Sequence, residues 1–439
     1  MKTPRTLSRR QFLRRSAGAA AGAVAFPYII PGSALGLDGA VAPSNRITLA
    51  SIGVGGQGTY DTTALMSLPD TQYLALCDVD RAHLEKATGM VEGYYKNKGQ
   101  DHPGIAQYKD FREVLDRDDI DAVMIATPDF SHAMITVAAA KAGKDIYCEK
   151  PLAHSVPEGR AVVNIVRQTG RVLQTGSHER SRDNARYMCE LVQNQRIGKL
   201  HTIRVNMPVD NHGPVGNYDP EPVPEGFDYE MWLGPAPYEP YTTKRCHFYF
   251  RYILDYSGGE MTDRGAHILD LAQLGAGMDG TGPVSVEGTG VFPRDGLFNT
   301  AMSYNFRFEY ANGVQIIGES KPRRGIKFEG DAGWVMEHVH EGDLTASSPE
   351  ILKEVIGPNE IHLGRSRGHH ADFIECVKTR SDPKAPVEVG HGSGTMCHIA
   401  NIALRLGRKL QWDPAAERFI NDDEANRLLA PRVRTPWLV

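Results

Sequence analysis

Cysteine is scarce and unpatterned in this chain: six residues in 439, at positions 77, 148, 189, 246, 376 and 397, with no CxxC pair. That excludes a regular disulfide framework, although it leaves room for a single bridge. Cys77 and Cys148 fall in predicted buried strands, where cysteine behaves as a small apolar residue. An excess of positive charge is also missing. Lys plus Arg number 49 against 54 Asp plus Glu, a formal net charge of -5, and no long basic run occurs outside the N-terminus. Nucleic-acid binding therefore has no electrostatic basis. There are no internal repeats and no low-complexity tract beyond the N-terminal segment. What remains is an ordinary globular composition, 41% hydrophobic and 23% charged. The length suffices for two or three domains.

The first 30 or so residues stand apart from the fold. Lys2, Arg5, Arg9, Arg10, Arg14 and Arg15 form a basic region without an acidic residue, and Ala17 to Ile30 follow as a short Ala/Gly-rich apolar segment. The segment is too weakly apolar for a firm membrane span and fits a signal peptide. Ser8-Arg9-Arg10-Gln11-Phe12-Leu13-Arg14 resembles the twin-arginine export motif. Periplasmic or exported localisation follows as an expectation, with no stable membrane span once processed. Ala23-Val24-Ala25 offers a cleavage site. Phe26 to Pro31 stays apolar, so a later site or an uncleaved anchor is left open.

The most informative stretch is Arg46 to Gly58. An apolar run, Ile47–Ile52, leads into Gly53-x-Gly55-x-x-Gly58. The first glycine permits a tight turn, the second lets backbone approach a pyrophosphate, and the third lets helix and strand pack closely. Asp78 lies about 20 residues on, at the end of a second apolar run, where a dinucleotide's ribose hydroxyls are held. Further strands are expected at Leu74–Asp78, Ala122–Ala126, Ile146–Cys148 and Val172–Gln174, with helices such as Ser131–Ala142 and Val156–Thr169 between them. Asp110 and Ser131 are the expected N-caps. Strand–helix alternation with unbroken apolar strands argues a parallel, doubly wound sheet. Ligands in such sheets sit at the carboxyl ends of strands. That rule selects the glycine loop, Asp78, Thr127-Pro128 and Glu149-Lys150-Pro151.

After about residue 180 the pattern changes. A helix, Asn184–Asn194, and a strand, His201–Met207, precede a long Pro-, Gly- and aromatic-rich region from Pro208 to Ser257, a lid-like length for a loop. One helix is expected over Thr262–Leu274. Antiparallel strands follow at Val284–Val291, Ala301–Tyr310 and Val314–Ser320, the last two joined by Asn312-Gly313, a two-residue hairpin signal. Helices are expected near His370–Lys378 and Ser393–Leu406. The fold class is thus α/β: a signal and linker over 1–42, a Rossmann domain over 43–176, and over 177–439 a second α/β domain with a large, mostly antiparallel open sheet. That sheet carries helices on one face and leaves the other for homodimer or homotetramer contacts.

Two constellations carry chemistry. Lys150 ends a strand at the cofactor edge, where partial burial would lower its pKa and make it a proton carrier. In Ser257-Gly258-Gly259-Glu260-Met261-Thr262-Asp263-Arg264-Gly265-Ala266-His267, a continuous helix would place Asp263 and His267 on one face. A histidine oriented by a carboxylate is an acid/base arrangement. The bland alternative is a cap residue and a satisfied core histidine. Metal binding by this pair lacks further ligands at helpful spacing, and no metal is expected. His369 and His370 read as structural.

Together these motifs resemble the glucose–fructose oxidoreductase / inositol dehydrogenase / rhizopine catabolism (Gfo/Idh/MocA) family. The match runs through the glycine loop, Cys77–Asp80, Ala126–His132, Tyr147–Ala153 and Gly258–Asp270. The resemblance implies Lys150 as catalytic lysine and Asp263 and His267 as the D-x-x-x-H pair, with His267 as general acid/base. It implies NAD held by Gly53, Gly55, Gln57, Gly58 and Asp78, with Thr127, Pro128, His132, Glu149 and Lys150 lining the cleft. Arg81, near Asp78, keeps NADP as the lesser alternative. The exported branch of the family implies sugar contacts at Arg245, His247, Arg251 and Tyr256, and the GSHER segment places His178 and Arg180 beside the active site.

Three functions compete. The first is NAD-dependent oxidation of a secondary hydroxyl of a sugar or glycoside. The second is an NAD-dependent glycosidase that oxidises, eliminates, hydrates and re-reduces with tightly bound NAD. The third is a non-catalytic sugar- or nucleotide-binding protein, against which Lys150, Asp263 and His267 together argue.

Overall fold

The computed structural model describes residues 41–42, 45–99, 102, 104–209, 216–430 and 433–437. The twin-arginine motif and its apolar segment lie outside the described residues. Ile47–Val439 form one compact unit around two sheets.

The first sheet contains β1 (Ile47–Ile52), β2 (Thr71–Cys77), β3 (Ala106–Tyr108), β4 (Ala122–Ile125), β5 (Asp145–Cys148) and β6 (Leu173–Thr175). All its pairings are parallel, in the order β3-β2-β1-β4-β5-β6. This is the doubly wound order whose strand reversal lies between β1 and β4, beside the glycine loop. β4 and β5 are buried along their whole length. That burial is why they read as unbroken apolar runs. β3 was not expected; it is three residues long, only partly buried and at the sheet edge. Asp110 caps its helix as expected, accepting the Arg112 amide at 3.0 Å. Ser131 does not cap. The helix begins at Asp129 because Pro128 fixes the preceding backbone, and Ser131 Oγ instead donates to Thr127 Oγ1 at 2.8 Å.

The second sheet contains β7 (Leu200–Met207), β8 (Ser285–Val291), β9 (Ser303–Glu309), β10 (Gln315–Ser320), β11 (Gly325–Gly330), β12 (Gly333–Glu337), β13 (Leu344–Ala346), β14 (Leu410–Asp413) and β15 (Arg418–Phe419). Its order is β13-β12-β11-β7-β10-β9-β8-β14-β15, antiparallel except for the β7–β10 pair. Helices Asp183–Gln193, Gly265–Ala276 and Val387–Leu406 share a core with one face, including Ile203, Val205, Phe306, Phe308, Ile316 and Phe328. The alternate positions carry charge, with Arg204 and Lys327 both paired to Glu329. The β9–β10 connection corrects the two-residue hairpin. Tyr310 N–H donates to the Val314 carbonyl, enclosing three residues, and of these only Gly313 takes positive φ.

The single helix expected over Thr262–Leu274 is broken. Glu260–Asp263 and Gly265–Ala276 are separate segments meeting at Arg264. All six cysteines are free and buried. Among the described residues no helix is long and apolar enough to cross a membrane.

The glycine loop is a packing device as well as a binding one. A Cβ on Gly58 would stand 1.9 Å from the Gly53 carbonyl oxygen, a backbone atom with nowhere to retreat. Gly58→Ala should therefore destabilise the fold by about 1–3 kcal/mol and release bound dinucleotide. Thermal melting and dinucleotide content of the purified variant measure this, and wild-type values for both would contradict it.

Candidate active site

A cleft of about 580 Å³ runs from the glycine loop to Lys150 and His267. At one end, Gly53 turns the chain out of β1 with φ +83°, and a Cβ there would sit 2.7 Å from the Ala126 carbonyl oxygen. A Cβ on Gly55 would meet the His83 ring at 3.5 Å, while Gly56 has open space beside it. These positions leave backbone amides and a helix N-terminus facing the cleft, a fit for a dinucleotide's phosphates. Asp78 follows β2. Its two carboxylate oxygens accept the amides of Val54 and Asp80, each at 2.8 Å. Each oxygen keeps a second lone pair for a ribose hydroxyl. Burial raises the Asp78 pKa, against the lowering effect of those two amides.

Lys150 closes the other end. Its ammonium forms a very short contact with Asp263, whose second oxygen takes Arg264 at 2.8 Å and Arg251 at 3.4 Å. The expected lowering of the Lys150 pKa is not what the structure gives. Burial does pull it down, but Asp263 and Glu149 outweigh burial and raise it. For Asp263, burial alone would raise the carboxyl, yet Lys150, Arg251 and Arg264 take it well below the usual carboxylate range. Glu149 behind them is pushed up to about 8 by burial and by Asp61.

His267 is buried in the same cleft, but Asp263 does not orient it. Both line the cleft, but the Asp263 oxygens are taken by Lys150, Arg251 and Arg264, and His267 Nδ1 has no hydrogen-bond partner. Burial, then His178 and Lys150, push its pKa well below the ordinary imidazole value, so it is neutral.

Of the remaining expected residues, Gln57, Thr127, Pro128, His132, His178, His247 and Arg251 line the cleft. His132 is chiefly a brace. Its two nitrogens contact the carbonyls of Thr127 and Pro151, each at 2.7 Å, tying the β4 and β5 ends together. His247 lies at the opposite end from the one expected for a sugar contact. Its ring is 4.9 Å from that of His83, and Nε2 is 3.5 Å from Asp80, next to Asp78.

Gly58 packs against the Gly53 carbonyl and does not line the cleft, and four side chains are not brought to its wall either. Arg180 is buried in ion pairs with Asp270 and Asp279, both at 2.7 Å. Tyr256 is fully buried, its hydroxyl donating to Pro237. Arg245 donates to Pro240 and stacks over Tyr256. Arg81 pairs with Glu85 in solvent. Each is a polar side chain held within the protein or exposed, which a motif cannot distinguish from one aimed at a ligand. His369 and His370 are structural as read, contacting Thr175 and Asp61.

The sequence reading missed His83, Arg264, Arg324 and His340, all on the cleft wall. His340 lies in a His-x-His-Glu turn after β12, the one local signal that was available.

The long aromatic region forms a wall over the dinucleotide end. Asp80 and Phe227 form a β-bridge, Arg81 N–H donates to the Gly226 carbonyl at 3.0 Å, and Asp228 N–H donates to Val79 at 2.9 Å. Phe227, Trp232, Phe248 and Phe250 line the cleft from this strap.

Asp263→Asn leaves a buried lysine without its nearest carboxylate. It should cost about 3–5 kcal/mol in a denaturation assay and shift the pKa of Lys150 downward, moving the matching limb of the pH–rate profile to lower pH. Glu149 has its folded-state pKa raised from 4.5 to about 8. Its stabilising contribution is complete below the unfolded value and disappears as pH rises through the folded one. Glu149→Gln should therefore flatten the decline of stability over that window, as followed by melting at a series of pH values. An unchanged slope would refute the assignment.

Comparison with known proteins agrees with this geometry. The model of the oxidoreductase family's NAD-binding Rossmann fold matches residues 47–177, and that of its C-terminal alpha/beta domain matches 212–439. The chain is 29% identical to the myo-inositol 2-dehydrogenase of Thermotoga maritima over 154 residues, covering 35% of this chain and 43% of that protein. It is 28% identical to the alpha-N-acetylgalactosaminidase of Shewanella oneidensis over 214 residues, covering 46% and 42%. The chain thus spans less than half the length of these curated relatives. Among solved structures, the aldose-aldose oxidoreductase of Caulobacter crescentus superposes with TM-score 0.62 at 20% identity, covering 83% of this chain and 99% of that one. The WlbA dehydrogenase of Bordetella pertussis, in complex with NADH and UDP-GlcNAcA, gives 0.61 at 15% identity, covering 84% and 99%. At those identities the likeness is one of fold. With one family model covering the first sheet and its glycine loop and the other covering more than half the chain, the protein belongs to the Gfo/Idh/MocA oxidoreductase family and carries its NAD-binding Rossmann fold.

Proposed function

We propose that this protein oxidises a secondary hydroxyl of a sugar or glycoside, using NAD. One observation carries the reading: Lys150 and His267, in opposite charge states, stand in the cleft that begins at the dinucleotide loop. Bound NAD supplies the hydride acceptor. Lys150, kept charged by Asp263, donates a hydrogen bond to the substrate oxygen and stabilises negative charge as it develops there. Neutral His267 is ready to accept the hydroxyl proton. Asp78 accepts from the ribose hydroxyls and disfavours the 2′-phosphate of NADP by charge repulsion.

A second reading, a glycosidase that oxidises only transiently, is favoured by two observations. One curated relative is named an alpha-N-acetylgalactosaminidase. The strap from Phe227 to Arg251 also walls the dinucleotide end, which suits a cofactor that stays bound. Oxidation would acidify the neighbouring C–H, the aglycone would leave by elimination, water would add, and re-reduction would close the cycle. Export through the twin-arginine route, after folding with the cofactor aboard, and assembly as a homodimer or homotetramer complete the proposal.

The test begins with the absorbance and mass of the dinucleotide that co-purifies with the chain. The protein is then exposed to a panel of sugars and glycosides. We expect a change in nicotinamide absorbance with one substrate class, reduced at least about a hundredfold in Lys150→Ala while the dinucleotide stays bound. No response across the panel, or full activity in Lys150→Ala, would sink the proposal. Many turnovers of aglycone release without added nucleotide would select the glycosidase cycle.

A further inference from the structure

We infer that His178, His267 and His340 form a binding site for one divalent transition-metal ion of the zinc class, at the end of the cleft opposite the glycine loop. They come from three distant parts of the chain: the turn of 3-10 helix at His178–Ser181, the helix Gly265–Ala276, and the turn after β12. Each ring offers one nitrogen, and the three nitrogens lie within 4.8 Å of one another. Ring centroids are 4.5 Å apart for His178–His267, 5.2 Å for His178–His340 and 5.4 Å for His267–His340.

A second observation points to a ligand. His267 is 4% exposed, and its Nδ1 is buried without a hydrogen-bond partner. Leaving such an atom unmatched costs about 1–3 kcal/mol, and a coordinated ion would remove that cost.

The other two rings share one carboxylate. Glu179, fully buried, faces His178 Nε2 at 3.2 Å and forms a very short contact with His340 Nδ1. A carboxylate on one imidazole nitrogen fixes the ring and leaves the other nitrogen free, as in metal sites where a carboxylate backs each histidine. Arg182, 3.0 Å from Glu179, anchors that carboxylate in turn. His340 is held at φ +72°, a conformation rare for a side-chain-bearing residue, which points to a positional demand on it.

Three imidazole ligands suit zinc, cobalt or nickel, and a set of three with a fourth position open is the arrangement of catalytic sites. All three histidines line the cleft, so the open position faces the space available to substrate. The inference rests on the hydride-transfer reading for what the ion would do, namely coordinate a substrate oxygen. In the loaded protein His267 would be a ligand, Lys150 would keep its charge and still donate to the substrate oxygen, and the proton of the coordinated hydroxyl, made more acidic by the ion, would pass to solvent. Among the described residues a second such cluster, Asp80, His83 and His247, is more exposed and has no buried unpartnered nitrogen.

The full chain, purified without a metal-affinity tag and stripped by a chelator, is titrated with Co2+ and with Zn2+. Visible absorption and elemental analysis report binding. One ion per chain is expected, with Co2+ affinity at least about tenfold weaker in His178→Ala and in His340→Ala. Glu179→Gln, which leaves all three ligands in place, should weaken it about 10- to 100-fold. Circular dichroism checks folding, and His178→Gln or His340→Gln replaces the alanine variant at the same position if that does not fold. The inference is overturned if the stripped protein binds neither ion stoichiometrically, or if the double variant His178→Ala/His340→Ala binds Co2+ as the wild type does. Metal binding is read without substrate, so its failure leaves the Lys150→Ala test of hydride transfer standing, and the converse also holds.

Discussion

The site depends on one buried ion pair. Lys150 lies just past the end of β5 in the parallel sheet, and Asp263 ends the short helix before Arg264. Neither charge is stable alone in this setting: an ammonium or carboxylate removed from water without a partner loses several kcal/mol of solvation. Together they fix where the parallel-sheet end of the cleft meets the helix that carries His267. Arg251 and Arg264 then gather on the free oxygen of Asp263. Arg251 belongs to the aromatic strap, so the same carboxylate that holds the lysine also tethers the strap near its end.

The strap explains how a shallow sheet edge becomes a cleft. A parallel sheet with a glycine turn offers phosphates a helix terminus but leaves the ribose end open. Here the bridge between Asp80 and Phe227 and the bonds from Arg81 and Asp228 lay the strap against the turn after β2. Phe130 of the Rossmann portion packs edge-on against Trp232, with ring centroids 5.4 Å apart. An aromatic contact of that kind adds about 0.5–1.5 kcal/mol beyond the area it buries. Opening the strap therefore requires breaking backbone bonds and an apolar cluster together, a barrier that favours retention of whatever lies beneath.

The parallel sheet was legible because its signals are local. Glycines at fixed offsets, apolar runs without charge and Asp78 at a strand end each report a backbone demand. The second sheet was half legible. β7 to β10 alternate clearly, whereas β11 to β15 are short and glycine- or charge-punctuated, and they exist because neighbouring strands pair with them. The site followed the same rule. Lys150 and Asp263 lay in motifs, but their contact spans 113 residues. The break at Arg264 was illegible because helical periodicity continues across it. Arg180 misled because a buried arginine neutralised by Asp270 and Asp279 reads in sequence like one reaching for a substrate.

The same burial drives Lys150 and His267 to opposite outcomes, and that contrast sets the chemistry. Both groups lose hydration, which by itself lowers the pKa of each. Lys150 faces Asp263 and Glu149, whose attraction exceeds the desolvation loss, so it keeps its proton. His267 faces His178 and Lys150, which add to the loss, so it gives its proton up. Two groups whose surroundings separate their protonation states are what acid/base chemistry requires. The Lys150–Asp263 pair thus bears on both states, since the ammonium it stabilises adds to burial and His178 in keeping His267 neutral. A neutral imidazole is also the only form that can accept a proton from a hydroxyl or coordinate a metal ion. The electrostatics therefore prepare His267 equally for either role, and occupancy of the three-histidine cluster decides which it performs.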